Sequence, residues 1–307
     1  MTRSAAEPLG PARGRREDTP FRRFVSDFAE SKLAVIGLFG FLVIAFLAIF
    51  APFVTPQNPY DLAQLDIFDV RLPPGEVGRS TGITYWLGTD AQGRDMLSAI
   101  IYGIRVSLFV GAVSAVISLA IGAVVGLVAA YFGGRVDSVI MRVVDIQLSF
   151  PAILVALILL SVLGQGVDKV LIALVIVQWA YYARTARGSA LVERNREYVE
   201  AATCLALGHR RIMFRHIMPN CMPPLIVIVT IQVADAIALE ATLSFLGVGV
   251  PVTEPSLGLL ISIGFDYLLS GKYWISVFPG VALALAIVSI NLVGDQLRDI
   301  LNPRLRK

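Results

Sequence analysis

Charged side chains are scarce in this sequence. Only 16% of its 307 residues are Asp, Glu, Lys or Arg, where soluble domains carry about 25%, and that shortfall excludes an ordinary water-facing globule. The formal net charge is +3, and no Lys/Arg stripe interleaved with aromatics occurs, which argues against nucleic acid as a partner. Cysteine and histidine amount to Cys204, Cys221, His209 and His216. Their spacing is neither C-x2-C nor H-x3-H, so they do not read as a metal site. No G-x4-G-K-[S/T] stretch occurs, which removes the phosphate-cradling loop that a P-loop ATPase needs.

Apolar residues, by contrast, make up 56% of the chain and gather in long runs. A spanning helix needs about 20 predominantly apolar residues. Six segments are candidates: Leu33–Val54, Val106–Phe132, Val144–Leu163, Val170–Ala190, Met222–Val248 and Trp274–Val293. The chain therefore reads as an all-α membrane protein with six transmembrane helices. The fourth segment is the weakest, because its clean apolar run stops at Arg184. The first run follows a long polar stretch and exceeds the roughly 7–15 residues of a signal-peptide core, so it is expected to stay as a span. Residues 1–20, rich in Arg, Pro, Gly and Ala, are expected to be disordered. Phe21, Phe24, Val25 and Phe28 then recur at helical spacing, an apolar stripe suited to a helix lying in the headgroup region.

Basic residues set the orientation. All of the 26 Lys and Arg residues except Arg71, Arg79, Arg94, Arg105, Lys169 and Lys272 fall in 1–32, 133–142, 184–220 and 294–307. The positive-inside rule puts those segments, and both termini, in the cytoplasm. The division that results is a tail with an interfacial helix (1–32), a first span (33–54), an extracytoplasmic loop (55–105), a core membrane domain (106–297) and a C-terminal tail (298–307). The 55–105 loop is acidic and rich in Pro and Gly, which suits either an ordered patch on which another protein sits or a solvated spacer.

The one sizeable internal cytoplasmic loop, 184–220, contains Glu197-Tyr-Val-Glu-Ala-Ala-Thr-Cys-Leu-Ala-Leu-Gly-His-Arg-Arg-Ile-Met-Phe-Arg-His-Ile-Met-Pro-Asn220. Glu200, Ala201 and Ala202 are good helix formers, and Gly208 is the expected stop. Ile212, Met213 and Ile217 give a second amphipathic stretch that Pro219 is expected to halt. Two short helices about a glycine turn form a rigid knob that fits a groove on another protein.

Three carboxylates fall at membrane depth: Asp145 at the start of the third segment, and Asp235 and Glu240 within the fifth. Intramembrane charges face a cavity or a partner. For Asp235 two readings stay open, a place on a solute pathway near a peptide amino terminus, or a polar contact with a neighbouring helix or a partner membrane subunit. Pro151 is read as a kink, and Gly122-x3-Gly126 as a close helix contact.

The run Glu200, Ala201, Ala202, a later glycine and Ile217-Met-Pro-Asn220 resemble the EAA loop of permease subunits of bacterial ABC importers. Trp86-Leu-Gly-Thr-Asp-Ala-Gln-Gly-Arg-Asp95, Tyr102-Gly-Ile-Arg-Val-Ser-Leu108, Arg142-Val-Val-Asp-Ile-Gln-Leu-Ser-Phe-Pro151, Glu240-Ala-Thr-Leu-Ser-Phe-Leu-Gly-Val-Gly249 and Gly294-Asp-Gln-Leu-Arg-Asp-Ile-Leu-Asn-Pro-Arg304 narrow the resemblance to C-type permeases of the dipeptide/oligopeptide/nickel family. The resemblance implies a type I, MetI-like fold with cytoplasmic coupling helices. It also implies a bacterial inner-membrane location and an ATPase-coupling loop of Glu200, Ala201, Ala202, Ala206, Gly208, Arg211 and Pro219. The implied partners are a homologous permease in a heterodimer, two cytoplasmic ABC ATPases that bind the ATP, an extracytoplasmic solute-binding protein and membrane lipid. This chain itself would hold no cofactor and be no enzyme. The implied cargo is dipeptides or oligopeptides, or a related solute such as a nickel chelate or glutathione. One departure stands out. The family's loop glycine lies six positions after the glutamate, at Ala206 here, and Gly208 two residues later suggests a shifted turn.

Two rival classes explain less. An ion-gradient-driven transporter or channel could use Asp235 and Glu240, but no pair of inverted repeats is visible and the Glu-Ala-Ala loop would have no purpose. A membrane-embedded hydrolase needs a nucleophile and a base together, and both histidines lie in the cytoplasmic loop.

Overall fold

The computed structural model describes residues 20–61, 65–79 and 82–301. Of the segment 1–20 expected to be disordered, all but Pro20, which begins a helix, lies outside the described residues, as does most of the 298–307 tail. Within them, α1 (Pro20–Glu30) leads through the Ser31 cap, whose hydroxyl accepts from Ala34 N at 3.3 Å, into α2 (Lys32–Ile49). Gln296 donates to the Asp27 carbonyl at 3.0 Å and ties α1 to the C-terminal helix. Leu33, Ile36, Phe39, Leu42, Phe46 and Ile49 of α2 are all exposed, as a membrane-facing helix requires, because lipid replaces water as the solvent for apolar groups. The expected first segment ends in a separate turn of helix, α3 (Ala51–Val54).

The longest helix, α4 (Met96–Phe132), has 37 residues, about 55 Å at 1.5 Å per residue. It begins well before the apolar run. Asp95 caps it, its carboxylate accepting from Ser98 N at 2.8 Å and Ser98 Oγ at 2.5 Å. Burial pushes the Asp95 carboxyl above the usual range.

The third expected segment is not one straight span. α5 (Gly134–Ser149) and α6 (Ala152–Leu163) meet at 90°, with Phe150 extended (φ −94, ψ 141) before Pro151. The proline ring bars the helical conformation at the preceding residue, so the chain turns a corner while hydropathy runs on. Beyond it lie α7 (Val167–Arg194), α8 (Glu197–Cys204), α9 (His209–Arg211), α10 (Met218–Phe245), α11 (Leu257–Phe265) and α12 (Trp274–Leu301).

All six expected segments fall on helices. Among the described residues α2, α4, the helix ending at Phe245 and α12 are long and apolar enough to cross a membrane, with a fifth span if the bent pair counts as one. α7 does not meet that standard, because its second half carries Arg184, Arg187 and Arg194. The first two of these are paired: Arg187 grips Asp137 with two bonds of 2.5 and 2.6 Å, and Arg184 meets Asp145 at 2.5 Å, both acids on α5. α7 is instead the helix most extensively packed on α4. At Gly126 an added Cβ would run into the Ala183 carbonyl oxygen and sit 2.9 Å from Ala186 Cβ, so only glycine allows this approach.

The described residues between 55 and 95 fold over the end of α4 and α12 as a small cap with buried polar joints. Asp69 accepts from Arg79 N at 2.9 Å and Tyr85 OH at 3.1 Å, and Thr89 Oγ1 bridges Leu72 N and the Asp69 carbonyl. Arg94 and Asp90 form an ion pair at 2.6 Å with side chains 2% and 1% exposed. Trp274 Nε1 of α12 donates to the Thr89 carbonyl at 3.2 Å. Between them Gly88 takes φ +79, where a Cβ would lie 2.6 Å from the Leu72 oxygen. The Leu-Gly-Thr-Asp motif is thus the structural knot of the cap.

Candidate functional site

The 184–220 loop is built outward from a core. Val199 and Ala202 of α8 are buried against Ile212, Met213 and Ile217 and against Leu127 and Ala130 at the end of α4. The opposite face of α8 leaves Glu200, Ala201 and Thr203 exposed. Glu197 and Glu200 occupy its first turn, where the helix dipole favours negative charge.

The turn after α8 lies at Ala206, not at Gly208. Leu207 N bonds to the Ala202 oxygen at 3.2 Å and Ala206 N to the Thr203 oxygen at 2.9 Å, the pattern of a Schellman stop. Ala206 has φ +52, and Gly208 has φ −61, ψ 143 at the start of α9. Burial sets this register: Leu207 packs on the same cluster as Val199 and Ala202, and the chain must reverse at Ala206 to bring it there. An alanine held left-handed costs about 1 kcal/mol or more. Ala206→Gly is therefore expected to stabilise the fold by about 1 kcal/mol, read as a higher thermal midpoint of the purified protein. An equal or lower midpoint would mean that no strain resides at this residue.

Pro219 does not halt the second stretch either. His209 to Phe245 runs as one 37-residue helical segment, widened to π geometry at Ile212–Ile217, with Met218 N bonding to the Met213 oxygen. Pro219 directly follows that turn, at the start of α10, and the wide π geometry before it makes room for the proline ring. Arg211, about two turns earlier, is exposed. Two exposed apolar residues join this surface, Leu205 at 74% and Phe214 at 45%. The sequence reading missed both; the available signal was that each lies off the buried stripe of its helix. Below the ledge a cavity of about 570 Å³ is lined by Tyr131, Phe132, Arg194, Glu200, Thr203 and His209. Tyr131 OH lies 2.7 Å from His209 Nδ1, and Arg194 donates to the Ala130 carbonyl at 2.8 Å. Tyr198 donates to Glu193 at 2.8 Å and accepts from Asn220 at 3.2 Å. Burial, with the adjacent Glu193 carboxylate, pushes its phenol up to about 12. It therefore stays a donor at any neutral pH.

The three carboxylates separate. Asp145 is exposed and paired with Arg184. Glu240 is 0% exposed and accepts from Ser107 of α4 at 2.8 Å and Ser244 at 2.9 Å. It is a buried polar joint between α4 and α10 rather than a wall of an open path. Asp235 is exposed, in a cavity of about 400 Å³ between α6, α7 and α10 that it shares with Gln178, Tyr181, Gln232 and Thr242. Asp235 and Glu240 are five residues apart, about 140° around a helix, so they cannot share a face.

With this geometry established, the likenesses are informative. Residues 122–307 match the family described as binding-protein-dependent transport system inner membrane component, and residues 19–74 match the N-terminal TM domain of oligopeptide transport permease C. The di/tripeptide transport system permease protein DppC of Pseudomonas aeruginosa is 39% identical over 94% of this chain and 93% of its own length. The dipeptide transport system permease protein DppC of Escherichia coli is 40% identical over 94% and 95%. The oligopeptide transport system permease protein OppC of Bacillus subtilis is 37% identical over 91% and 88%. Among solved structures, a chain of the MetNI methionine ABC transporter in an inward-facing conformation aligns with TM-score 0.55 at 18% identity, over 67% of this chain and 98% of that one. At that identity the likeness concerns the fold.

Proposed function

Since this chain belongs to the family of binding-protein-dependent transport system inner membrane components, we propose that it is one permease half of an ATP-driven importer of di- and oligopeptides. The transport systems named for its relatives carry peptides, and their similarity extends over most of the chain. In this reading a homologous permease completes the pathway, an extracytoplasmic binding protein delivers cargo onto the 55–95 cap, and two cytoplasmic ATPases supply the energy. The distribution of Lys and Arg supports six spans with both termini in the cytoplasm.

The observation that carries the reading is the ledge on α8. Glu200, Ala201, Leu205 and Ala206 are exposed, on a helix whose other face is anchored into the α4–α7–α10 core. Such a ledge transmits a push because the packed core under it does not yield. ATP-driven closure of the ATPase pair would move the ledge and bias the membrane helices between inward- and outward-open states. Glu200, Ala201, Ala202, Ala206, Gly208, Arg211 and Pro219 make up the loop that docks. Ala202 does so from beneath, as an anchor, and Leu205 and Phe214 supply the apolar contacts.

The test is co-expression with the neighbouring permease and ATPase subunits and purification through a tag on this chain. The expected result is co-purified ATPase subunits whose hydrolysis rises with loaded binding protein. A chain that purifies in membranes without any ATPase, and moves solute on an ion gradient alone, would put the secondary-transporter reading first.

A further inference from the structure

Gln178, one of the residues that line the cavity at Asp235, carries a buried acceptor that meets no donor among the described residues. Gln178 is 3% exposed, and its Nε2 donates to the Gln232 carbonyl at 2.8 Å. A carbonyl can be met only by the N–H end of an amide, so the opposite end, Oε1, is fixed as an acceptor. Among the described residues Oε1 has no hydrogen-bond partner. A buried acceptor left alone costs about 1–3 kcal/mol, a standing cost that a ligand donor removes. Gln178 shares its cavity with the Asp235 carboxylate, the Thr242 hydroxyl and the Tyr181 phenol, and among the described residues no Lys, Arg or His lines it. The remaining walls are apolar, from Ile153, Val177 and Leu239.

Asp235 also lies on the open side of its helix. Pro224, Ile231, Asp235, Thr242 and Phe245 are exposed along α10, one stripe at helical spacing on which Asp235 is the single charge. Oxygen acceptors and one negative charge, set among apolar walls, fit a compact cation with several N–H donors and an apolar body behind it. A metal ion fits less well, because a hard cation such as calcium takes six or more oxygen ligands.

We propose that this cavity receives the amino-terminal ammonium of a peptide in transit, with Asp235 supplying the opposite charge and Gln178 Oε1 a hydrogen bond. The first side chain of the peptide lies against Ile153, Val177 and Leu239. The inference rests on the importer reading above and adds a cargo-binding residue within the membrane. A site of this kind selects for a free amino terminus after the binding protein has let go.

The complete transporter, reconstituted in vesicles with saturating loaded binding protein, tests it through peptide taken up per ATP hydrolysed. Asp235→Asn keeps the shape and removes the charge, and should lower that ratio about tenfold, the scale of one charge-assisted hydrogen bond. Adding Ala238→Asp returns a carboxylate to the same cavity one turn along, and should recover most of the loss. Wild-type uptake in Asp235→Asn, or a loss that Ala238→Asp does not repair, would overturn the site. So would a wild-type ratio that falls to the Asp235→Asn level when sodium is replaced by choline, since the site would then hold an alkali ion. Wild-type vesicles with no ATP-dependent peptide uptake would instead overturn the importer reading itself.

Discussion

Replacing Glu200 with Arg is expected to cut ATP-driven uptake by at least about tenfold while leaving the permease folded. The side chain is exposed on α8, and among the described residues it makes no hydrogen bond or ion pair, so its loss removes nothing from the core. Reversing its charge in the first turn sets it against the helix dipole, a cost of about 0.3–1 kcal/mol. Thermal stability of the purified chain should therefore change little. The ledge, however, presents that charge next to Leu205 and above the cavity lined by Arg194 and His209. In the docking reading, a reversed charge at the interface costs up to several kcal/mol. The expected readouts are lost or weakened co-purification of the ATPase subunits and loss of hydrolysis stimulated by the binding protein. Full stimulation in the variant would remove Glu200 from the docking surface.

Gly126→Leu is expected to damage the α4–α7 packing of the membrane core severely. Even its first carbon would overlap the Ala183 carbonyl oxygen and lie 2.9 Å from Arg187 N. Both are backbone atoms of α7, so no side chain can rotate out of the way. α7 must back off α4 along the most extensive helix contact in the chain. Overpacking of this kind costs about 1–3 kcal/mol or more, a large share of a typical stability. The bidentate Arg187–Asp137 pair, one helical turn from Ala183, moves with the helix. The expected result is a yield of monodisperse protein after extraction lower by about tenfold or more, the scale of a loss of about 1.4 kcal/mol. Gly188→Leu is the control, because an added carbon there meets nothing within 4 Å. Equal yields of the two variants would refute a tight α4–α7 seam.

Much of this architecture was legible, for identifiable reasons. Apolar runs of span length located a helix in every case, and the Gly122-x3-Gly126 spacing was read as a close contact, which the α7 backbone against it bears out. Patterns failed where a single residue or an ion pair overrode them. Pro151 turns the chain by 90° inside the stretch expected to be one span. Arg184 ends the clean apolar run of the fourth segment, yet α7 continues past Ala190 to Arg194, with acids of α5 opposite Arg184 and Arg187. α11 is nine residues, too short for a hydropathy run to distinguish from a loop. Most instructive is Ala206: residue type pointed to Gly208, but the position of the turn is fixed by the burial of Leu207. Likewise Asp235 and Glu240 look equivalent in sequence, and only the packing of Ser107 and Ser244 around Glu240 separates them.

The length of α4 has a mechanical consequence. One end is rooted in the cap by Asp95, and the other carries Leu127, Ala130 and Tyr131 beneath the ledge. Its 37 residues include no proline, so no joint interrupts it. It acts as a stiff lever about 55 Å long, and a tilt of about 5° swings one tip about 5 Å relative to the other. A displacement at the ledge and one at the cap are then two readings of a single rotation.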